Sequence, residues 1–307
     1  MFYRPWQTVR PDPARSAALS AALGMPRLVC DVMCARGLDT PEAARAVCGG
    51  GDALSDPMLL SGMEAAVARI HRAIDDGERI AVFGDYDVDG ITSTCLLTDC
   101  LTRLGGRVRS YIPDRLEEGY GLNLAAMDTI KARGASLIVT VDCGITAAQE
   151  AGYAASLGMD MVITDHQECG ACPLPAAVAV VDPKRPGSRY PNADLAGVGV
   201  AFKLLCAVEG GAERVLSQYA DLIATGTIAD VMPLTGENRY IVRRGLAMLA
   251  ESPRPGIRAL LEESGALGRR ISASTMGFTL APRLNAAGRL GRADVAVRLL
   301  LTLSLIH

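Results

Sequence analysis

The sequence is poor in large aromatic side chains and close to electrically neutral. It has four Phe and one Trp in 307 residues, and its formal net charge is −3. A near-neutral chain has no overall basic field to attract nucleic acid, although a local basic groove is compatible with this balance. With so few large aromatic rings, stacking of bases on side chains is not evident from the composition.

The sequence also lacks a long apolar run and an even number of cysteines. No run approaches the roughly 20 residues of a membrane-spanning helix, and the opening M-F-Y-R-P-W-Q has no apolar core of signal-peptide length. The nine cysteines are scattered, so we expect reduced thiols in a cytoplasmic protein. Half of the residues are hydrophobic, which is ample for one large domain or two smaller ones.

The most informative stretch covers residues 79–94 and reads R-I-A-V-F-G-D-Y-D-V-D-G-I-T-S-T. An apolar run at 80–83 ends at a glycine, and three carboxylates follow at alternate positions, Asp85, Asp87 and Asp89. The pattern predicts a buried strand that ends in an acidic loop and opens a helix. Carboxylates this close repel one another unless a cation lies between them. Oxygen ligands favour a hard ion such as Mg²⁺ or Mn²⁺.

Two simpler interpretations of this stretch are a solvated acidic turn and a calcium-binding loop. The calcium loop is disfavoured by spacing, because no Glu stands at its twelfth position. The solvated turn is disfavoured because the stretch follows a strand, where ligand sites of α/β proteins lie.

Strands and helices alternate from residue 80 onward. Residues 1–75 are predicted to be a helical accessory segment, and the chain turns helical again from residue 195. Further strands are predicted at 108–112, 136–141, 159–164 and 178–181. Apolar strands separated by helices indicate an α/β fold, with a mainly parallel sheet covered by helices on both faces and a helical segment after it.

Acidic side chains follow several of these strands. Asp142 follows the third strand, and Asp165 with His166 follows the fourth. Right-handed crossovers bring the carboxyl ends of parallel strands to one edge of the sheet. Oxygen ligands with one imidazole suit Mn²⁺ well and Mg²⁺ acceptably. The ligands suffice for two ions bridged by one carboxylate, the usual arrangement for hydrolysing phosphate esters.

Two features later in the chain, Asp230 and a basic segment, each allow two interpretations. Asp230 ends an apolar helix, so it is either a polar helix end or a further metal ligand. The segment P-R-L-N-A-A-G-R carries Arg283, Asn285 and Arg289. Its arginines suit phosphate oxygens, but a solvated helix end would have the same composition.

The spacing His166-x-x-Cys169-x-x-Cys172 suggests zinc as a rival metal. A structural zinc site needs four ligands, and the other two histidines of the chain are distant in sequence. We therefore favour the hard-ion interpretation over zinc.

Six short motifs together resemble those of the DHH phosphoesterases. In chain order they are G-D-Y-D-V-D-G-I-T-S-T, V-T-V-D-C-G-I-T, I-T-D-H-Q-E-C-G, L-A-G-V-G-V-A-F-K-L, A-T-G-T-I-A-D-V-M-P-L and P-R-L-N-A-A-G-R. The last three are similar to those of the RecJ branch, the single-strand-specific 5′→3′ DNA exonucleases. The resemblance extends from about residue 54 to residue 292, and the correct order of six motifs argues against coincidence.

The resemblance implies a role for each matching residue. The implied metal ligands are Asp87, Asp89, Asp142, His166 and Asp230, with Asp142 bridging two Mn²⁺ or Mg²⁺ ions. Asp85 is implied as a ligand or as an acid behind the ligands, and Asp165 as the group that orients His166. The implied DNA contacts are Arg283, Asn285 and Arg289.

One motif departs from the family pattern. Gln167 stands where the family has a second His that lies near the scissile phosphate. Glutamine can donate a hydrogen bond but cannot titrate. Either the position tolerates a neutral donor or the activity is reduced, and we favour the first because every implied ligand is present.

The implied catalytic domain covers residues 76–292. Residues 293–307 are expected to begin a linking helix that leads to a second domain, so we expect a piece of a longer protein. Residues 303–307 also match the translation of a common sequencing adaptor, which indicates an artefactual end.

The resemblance implies metal-dependent hydrolysis of single-stranded DNA from the 5′ end, releasing mononucleotides, in DNA repair and recombination. The expected partners of this monomeric, non-membrane protein are single-stranded DNA and the single-stranded-DNA-binding protein. One alternative is another DHH phosphoesterase that acts on oligoribonucleotides or cyclic dinucleotides, and the P-R-L-N-A-A-G-R motif argues against it. The other is a non-catalytic DNA-binding scaffold, which the intact acid set argues against.

Overall fold

The chain divides into two compact units, Met1–Ala53 and Leu54–His307. The computed structural model describes residues 9–48, 54–115, 118–170 and 173–302. In the first unit, helices α1 (Pro13–Leu23), α2 (Arg27–Ala35) and α3 (Pro41–Cys48) enclose a small core that includes Leu19 and Cys30. The described residues of this unit, 9–48, are thus mainly helical.

The second unit contains a five-stranded parallel sheet with the order β2-β1-β3-β4-β5. Its strands are β1 (Arg79–Gly84), β2 (Arg107–Tyr111), β3 (Leu137–Val141), β4 (Asp160–Thr164) and β5 (Ala179–Val181). The predicted α/β fold with a parallel sheet is confirmed. The strand order reverses beside β1, so a crevice opens at the carboxyl ends of β1 and β3, where such sheets bind ligands.

Alternate residues of each strand face opposite layers of helices. Ile80 and Val82 face a core shared with α4 (Met63–Asp75), α5 (Val88–Arg103) and helices from later in the chain. Ala81 and Phe83 face a second core with α6 (Leu124–Ala132) and α7 (Ala148–Ser156). Both faces of the sheet are therefore covered, which explains why β1, β3, β4 and β5 are largely apolar.

Helix α4 packs on this sheet and so lies in the second unit. The sequence pattern groups residues 63–75 with the N-terminal segment, but Ala66, Ile70 and Ala73 are buried in the sheet's main core. The boundary between the compact units therefore falls near residue 53 rather than near residue 75.

The chain after β5 is helical, as predicted. Its helices are α8 (Gly197–Glu209), α9 (Ala212–Ala229), α10 (Gly236–Ala250), α11 (Pro255–Glu263), α12 (Ala273–Thr275), α13 (Ala281–Arg289) and α14 (Ala293–Leu301), with a π-helical turn at Met276–Leu280. Among the described residues, no helix has both the length and the apolar character needed to cross a membrane. A buried ion pair between Lys203 and Glu237, with 2.6 Å between Nζ and Oε2, joins α8 to α10.

Candidate metal centre

The acidic loop after β1 is held by its own backbone. Asp87 caps α5, because its Oδ1 accepts a hydrogen bond from the Gly90 amide at 3.0 Å. A Cβ at Gly90 would lie 2.4 Å from the Asp85 carbonyl oxygen, so only glycine fits there. Asp85 accepts from the Tyr86 amide at 2.8 Å. The glycines of the motif thus allow the chain to turn tightly enough to place its carboxylates together.

Asp89 lies in the first turn of α5 and is fully buried. Its two oxygens accept hydrogen bonds from the backbone amides of Gly197, at 2.7 Å, and Val198, at 2.9 Å, at the start of α8. The amino-terminal end of a helix stabilises negative charge, so α8 both orients this carboxylate and partly compensates its burial.

Asp142 follows β3 in a left-handed backbone conformation, with φ at 61°. Asp visits this region more readily than most residues, because its short side chain can bond locally. The other described non-glycine residue with positive φ is Val231, at 59°, directly after Asp230. For a β-branched residue this conformation is strained. Both unusual conformations stand at or beside predicted ligands, which is typical of functional sites.

Asp165 organises the loop after β4 through backbone hydrogen bonds. Its Oδ1 accepts from the amides of His166, at 2.8 Å, and Gln167, at 3.2 Å, and its Oδ2 accepts from Ile145 at 2.9 Å. The buried Asp165 carboxylate therefore links the loops after β3 and β4 and positions the histidine.

The loops after β1, β3 and β4 and the end of α9 meet around the imidazole of His166. Its Nε2 lies 3.1 Å from an oxygen of Asp142, 3.6 Å from Asp230 and 3.8 Å from Asp89. Potential ligand atoms form two groups, each with its atoms within 4.8 Å of one another, and Asp142 belongs to both. They are Asp89, Asp142 and His166, and Asp85, Asp87 and Asp142. The structure thus brings together residues that are 145 positions apart in the chain (85 to 230).

Burial is the main cause of unusual acidity in this cluster. It raises the pKa of Asp85 to about 7, with the neighbouring charge of Asp87 adding to the effect. It also raises the pKa of Asp89 and Asp142 well above the usual range, and that of Asp165 and Asp230 in the same direction. In the described ranges, no Lys or Arg forms an ion pair with these carboxylates. A bound cation would supply the missing positive charge.

Gln167 lies at the rim of the cluster. Its side-chain amide donates to the Tyr120 hydroxyl at 2.8 Å and approaches the Asp142 carbonyl oxygen at 3.4 Å. Both Gln167 and Tyr120 line a cavity of about 180 Å³ with Asp165. Tyr120 also contacts Tyr86 edge to face, and the guanidinium of Arg115 lies 5.0 Å from the Tyr86 ring. The low count of Phe and Trp does not reveal this aromatic pair, because both rings are tyrosines.

The basic motif on α13 packs directly against the acidic loop. The Asn285 side-chain oxygen accepts from the Val88 amide at 3.1 Å, and a Cβ at Gly288 would lie 2.0 Å from the Tyr86 carbonyl oxygen. Asn285 therefore also supports the loop that carries Asp87. Arg283 and Arg289 on the same helix are exposed.

One buried acid was missed by sequence reasoning. Asp182 follows β5 at the same edge of the sheet and is fully buried, and burial raises its pKa to about 7. The strand-end rule that identified Asp142 would also have found it. For the zinc alternative, Cys169 is buried in the apolar core between the sheet and α6, and Cys172 lies outside the described residues.

Gly197→Ala should weaken Mn²⁺ binding by about tenfold to a hundredfold, the usual range for disturbing the surroundings of a ligand. The added Cβ would lie 2.6 Å from both the Cβ and the Oδ1 of Asp142. Isothermal titration calorimetry with Mn²⁺ measures the effect. Gly211→Ala is a matched control, because its Cβ would meet nothing within 4 Å. Equal Mn²⁺ affinity in both variants would contradict the close contact between α8 and Asp142.

The fold and the site define an α/β protein with a carboxylate and imidazole centre suited to two hard cations. The model of the DHH family, N-terminal domain, matches residues 79–227. The chain is 46% identical over 298 residues to the single-stranded-DNA-specific exonuclease RecJ of Bacillus subtilis (strain 168), covering 97% of this chain and 37% of that protein. It is 43% identical to RecJ of Escherichia coli (strain K12), covering 79% of this chain and 44% of that protein.

Solved structures agree with this assignment. The structure of RecJ in complex with Mn²⁺ from Thermus thermophilus matches with a TM-score of 0.79 and 36% identity, over 96% of this chain and 42% of that one. A structure of exonuclease RecJ bound to manganese matches with a TM-score of 0.70 and 42% identity, over 79% of this chain and 61% of that one. The chain belongs to the DHH family, in the branch that contains the RecJ exonucleases. It spans less than half the length of the curated relatives named here.

Proposed function

We propose that this chain carries the catalytic centre of a nuclease that hydrolyses single-stranded DNA from its 5′ end with two Mn²⁺ or Mg²⁺ ions. The observation that carries the proposal is the pair of ligand groups that share Asp142. Its support is the similarity to RecJ proteins, whose solved structures contain Mn²⁺ or Mg²⁺.

The ligand atoms present fit such ions. Carboxylate oxygens with one imidazole nitrogen are suited to Mn²⁺, and the set proposed to hold the metals is Asp87, Asp89, Asp142, His166 and Asp230. Asp85 belongs to the second ligand group and serves as a further ligand or as a support. Two such ions, if held there, would bind the scissile phosphate and lower the pKa of an attacking water molecule.

The remaining residues position the substrate and the ligands. Asp165 holds the backbone of His166. The Gln167 amide, which donates to the Tyr120 hydroxyl, is proposed to act as a neutral hydrogen-bond donor near the scissile phosphate. The exposed guanidinium groups of Arg283 and Arg289 are proposed to bind phosphates of the strand, and Asn285 to keep them against the acidic loop.

Labelled single-stranded DNA tests the proposal. With Mn²⁺, we expect 5′-labelled DNA to release labelled mononucleotide at once, and 3′-labelled DNA to release label only after the strand has been shortened. The reverse order would contradict the polarity. Release from oligoribonucleotides or cyclic dinucleotides alone would favour another phosphoesterase activity, and metal-independent binding without release would favour a scaffold.

We also propose that the protein is a cytoplasmic monomer that works beside single-stranded-DNA-binding protein. Sedimentation of the purified chain tests the first point, since a dimer would have twice the mass of 32.2 kDa. Retention of the chain on immobilised single-stranded-DNA-binding protein, compared with bare resin, tests the second.

Gln167→His should change the rate of mononucleotide release by less than about tenfold, roughly 1.4 kcal/mol in activation free energy. The reason is that the glutamine amide already donates a hydrogen bond at this position, to Tyr120. Single-turnover kinetics on the labelled DNA measures the change. An increase of several orders of magnitude would show that the chain needs a titratable group there.

A further inference from the structure

Four arginines surround a cleft at the free edge of the sheet. They are Arg79, Arg107, Arg109 and Arg133, and the cleft has a volume of about 800 Å³. Strand β2 is the outermost strand on this side, so its outer edge has no neighbouring strand in the sheet, as far as the described residues show. All four side chains are exposed.

Strand register places the arginines together. Arg79 on β1 is the partner of Arg107 on β2, and Arg109 follows two residues later on the same side of the strand. From the end of α6, the guanidinium of Arg133 lies 5.5 Å from the Tyr111 ring. Arg79 donates to the Arg133 carbonyl oxygen at 2.8 Å, so α6 and β1 hold two of the four in place.

The positive charge of this cleft is not balanced by neighbouring acids. Among the described residues, none of the four arginines forms an ion pair, although the chain as a whole carries a net charge of −3. The side chains of Arg107 and Arg109 have no hydrogen-bond partner within the described ranges. Their guanidinium groups therefore present a fork of unused donors, the geometry that matches phosphate oxygens.

The cleft lies away from the candidate metal centre. Arg79 begins β1 and Asp85 follows the end of the same strand, which separates their backbones by about 20 Å at roughly 3.3 Å per residue. Arg109 is the register partner of Ala81, which stands four residues, or about 13 Å, before Asp85. The cleft therefore lies beside the first half of β1, whereas the acids follow its end. A strand that reaches both places must have several nucleotides.

We propose that this arginine cleft binds the phosphate backbone of single-stranded nucleic acid, away from the bond being cut. The inference rests on the proposed function, because it assigns the cleft to a distant part of the same substrate. An acidic peptide is the less suitable occupant. Peptides are usually recognised through side-chain pockets, and the apolar cavity beside the cleft has a volume of only about 30 Å³.

The test compares an Arg107→Gln/Arg109→Gln variant with an Arg258→Gln/Arg269→Gln control, which removes two exposed charges elsewhere. Binding of a labelled single strand of about 20 nucleotides is followed by fluorescence anisotropy in EDTA at several salt concentrations. The cleft variant should bind the strand about tenfold more weakly. The slope of log K against log salt should be less steep by about 1.4, which corresponds to the loss of two phosphate contacts. An Arg107→Lys/Arg109→Lys variant should keep most of the slope.

Mononucleotide release with Mn²⁺ separates this inference from the proposed function. The cleft variant should be slower on the long strand at subsaturating concentration and unchanged on a trinucleotide, which is too short to reach the cleft. Equal binding and equal slopes in the cleft and control variants would overturn the inference while nuclease activity persists. Self-association of the cleft variant without loss of DNA binding would also overturn the inference, because the arginines would then serve only to keep an edge strand from pairing with another chain. If the cleft variant loses DNA binding and the unsubstituted chain releases no mononucleotide, the result would support the cleft as a binding site and overturn the proposed nuclease activity.

Discussion

Asp142→Asn should lower Mn²⁺-dependent release of mononucleotides by at least about 10³-fold, roughly 4 kcal/mol in activation free energy. Asp142 is the one carboxylate that belongs to both ligand groups found among the described residues, so its loss would disturb both of the proposed ions at once. Asparagine keeps the size of the side chain and, like aspartate, tolerates the left-handed backbone at φ 61°. The substitution therefore removes the charge without straining the chain.

Thermal unfolding in EDTA serves as the check on folding for this variant. Because the pKa of Asp142 is raised by burial and by neighbouring carboxylates, removing its charge should leave the metal-free protein at least as stable at pH 8. Asp76→Asn, at an exposed position after α4, is the matched control and should retain full activity. A folded Asp142→Asn protein with more than a tenth of the original rate would exclude Asp142 as a bridging ligand.

The metal-free protein should become less stable as the pH rises from about 4 to about 7. Burial raises the pKa of Asp85 to about 7 in the folded state, whereas an unfolded Asp titrates near 3.9. The folded state then binds more protons than the unfolded state between these values, so the free energy of unfolding falls with increasing pH. For Asp85 alone the full difference is about 4 kcal/mol, and Asp89 and Asp142 shift in the same direction.

Melting temperatures in EDTA and in Mn²⁺ at pH 5 and pH 8 measure this effect. In EDTA we expect a fall of about 10 °C between the two pH values. Mn²⁺ should stabilise the protein more at pH 8, because the ion replaces the protons that the carboxylates have lost. Asp85→Asn should reduce the fall in EDTA. A melting temperature in EDTA that rises from pH 5 to pH 8 would show that burial does not raise the pKa of these carboxylates in the folded state.

Much of the candidate site could be predicted from the sequence because its residues stand at the ends of strands. The apolar run before Asp85 and the run before Asp142 indicate buried strands, and parallel strands must deliver such residues to one edge. For Asp230, composition left two possibilities, and the structure places its carboxylate 3.6 Å from the His166 imidazole. Asp182 follows the same rule but belongs to no motif, so it was overlooked.

Other features depend on contacts between residues that are far apart in sequence. The amides of Gly197 and Val198 bind Asp89 across 108 and 109 positions, and Asn285 binds the Val88 amide across 197. Local periodicity carries no information about such pairs. The packing of helix α4 against the short strand β5 could not be predicted from sequence for the same reason, because it depends on the core that they share and not on either segment alone.

The amino-acid sequence by itself determined the strands, the helices and the chain order of the acidic residues, because hydrophobic periodicity and glycine positions act locally. Only the tertiary structure decided which carboxylates lie together around His166, how α8 and α13 hold the acidic loop, and that four arginines meet at the free edge of β2. These arrangements follow from strand order and helix packing, in which each contact depends on the position of the whole sheet.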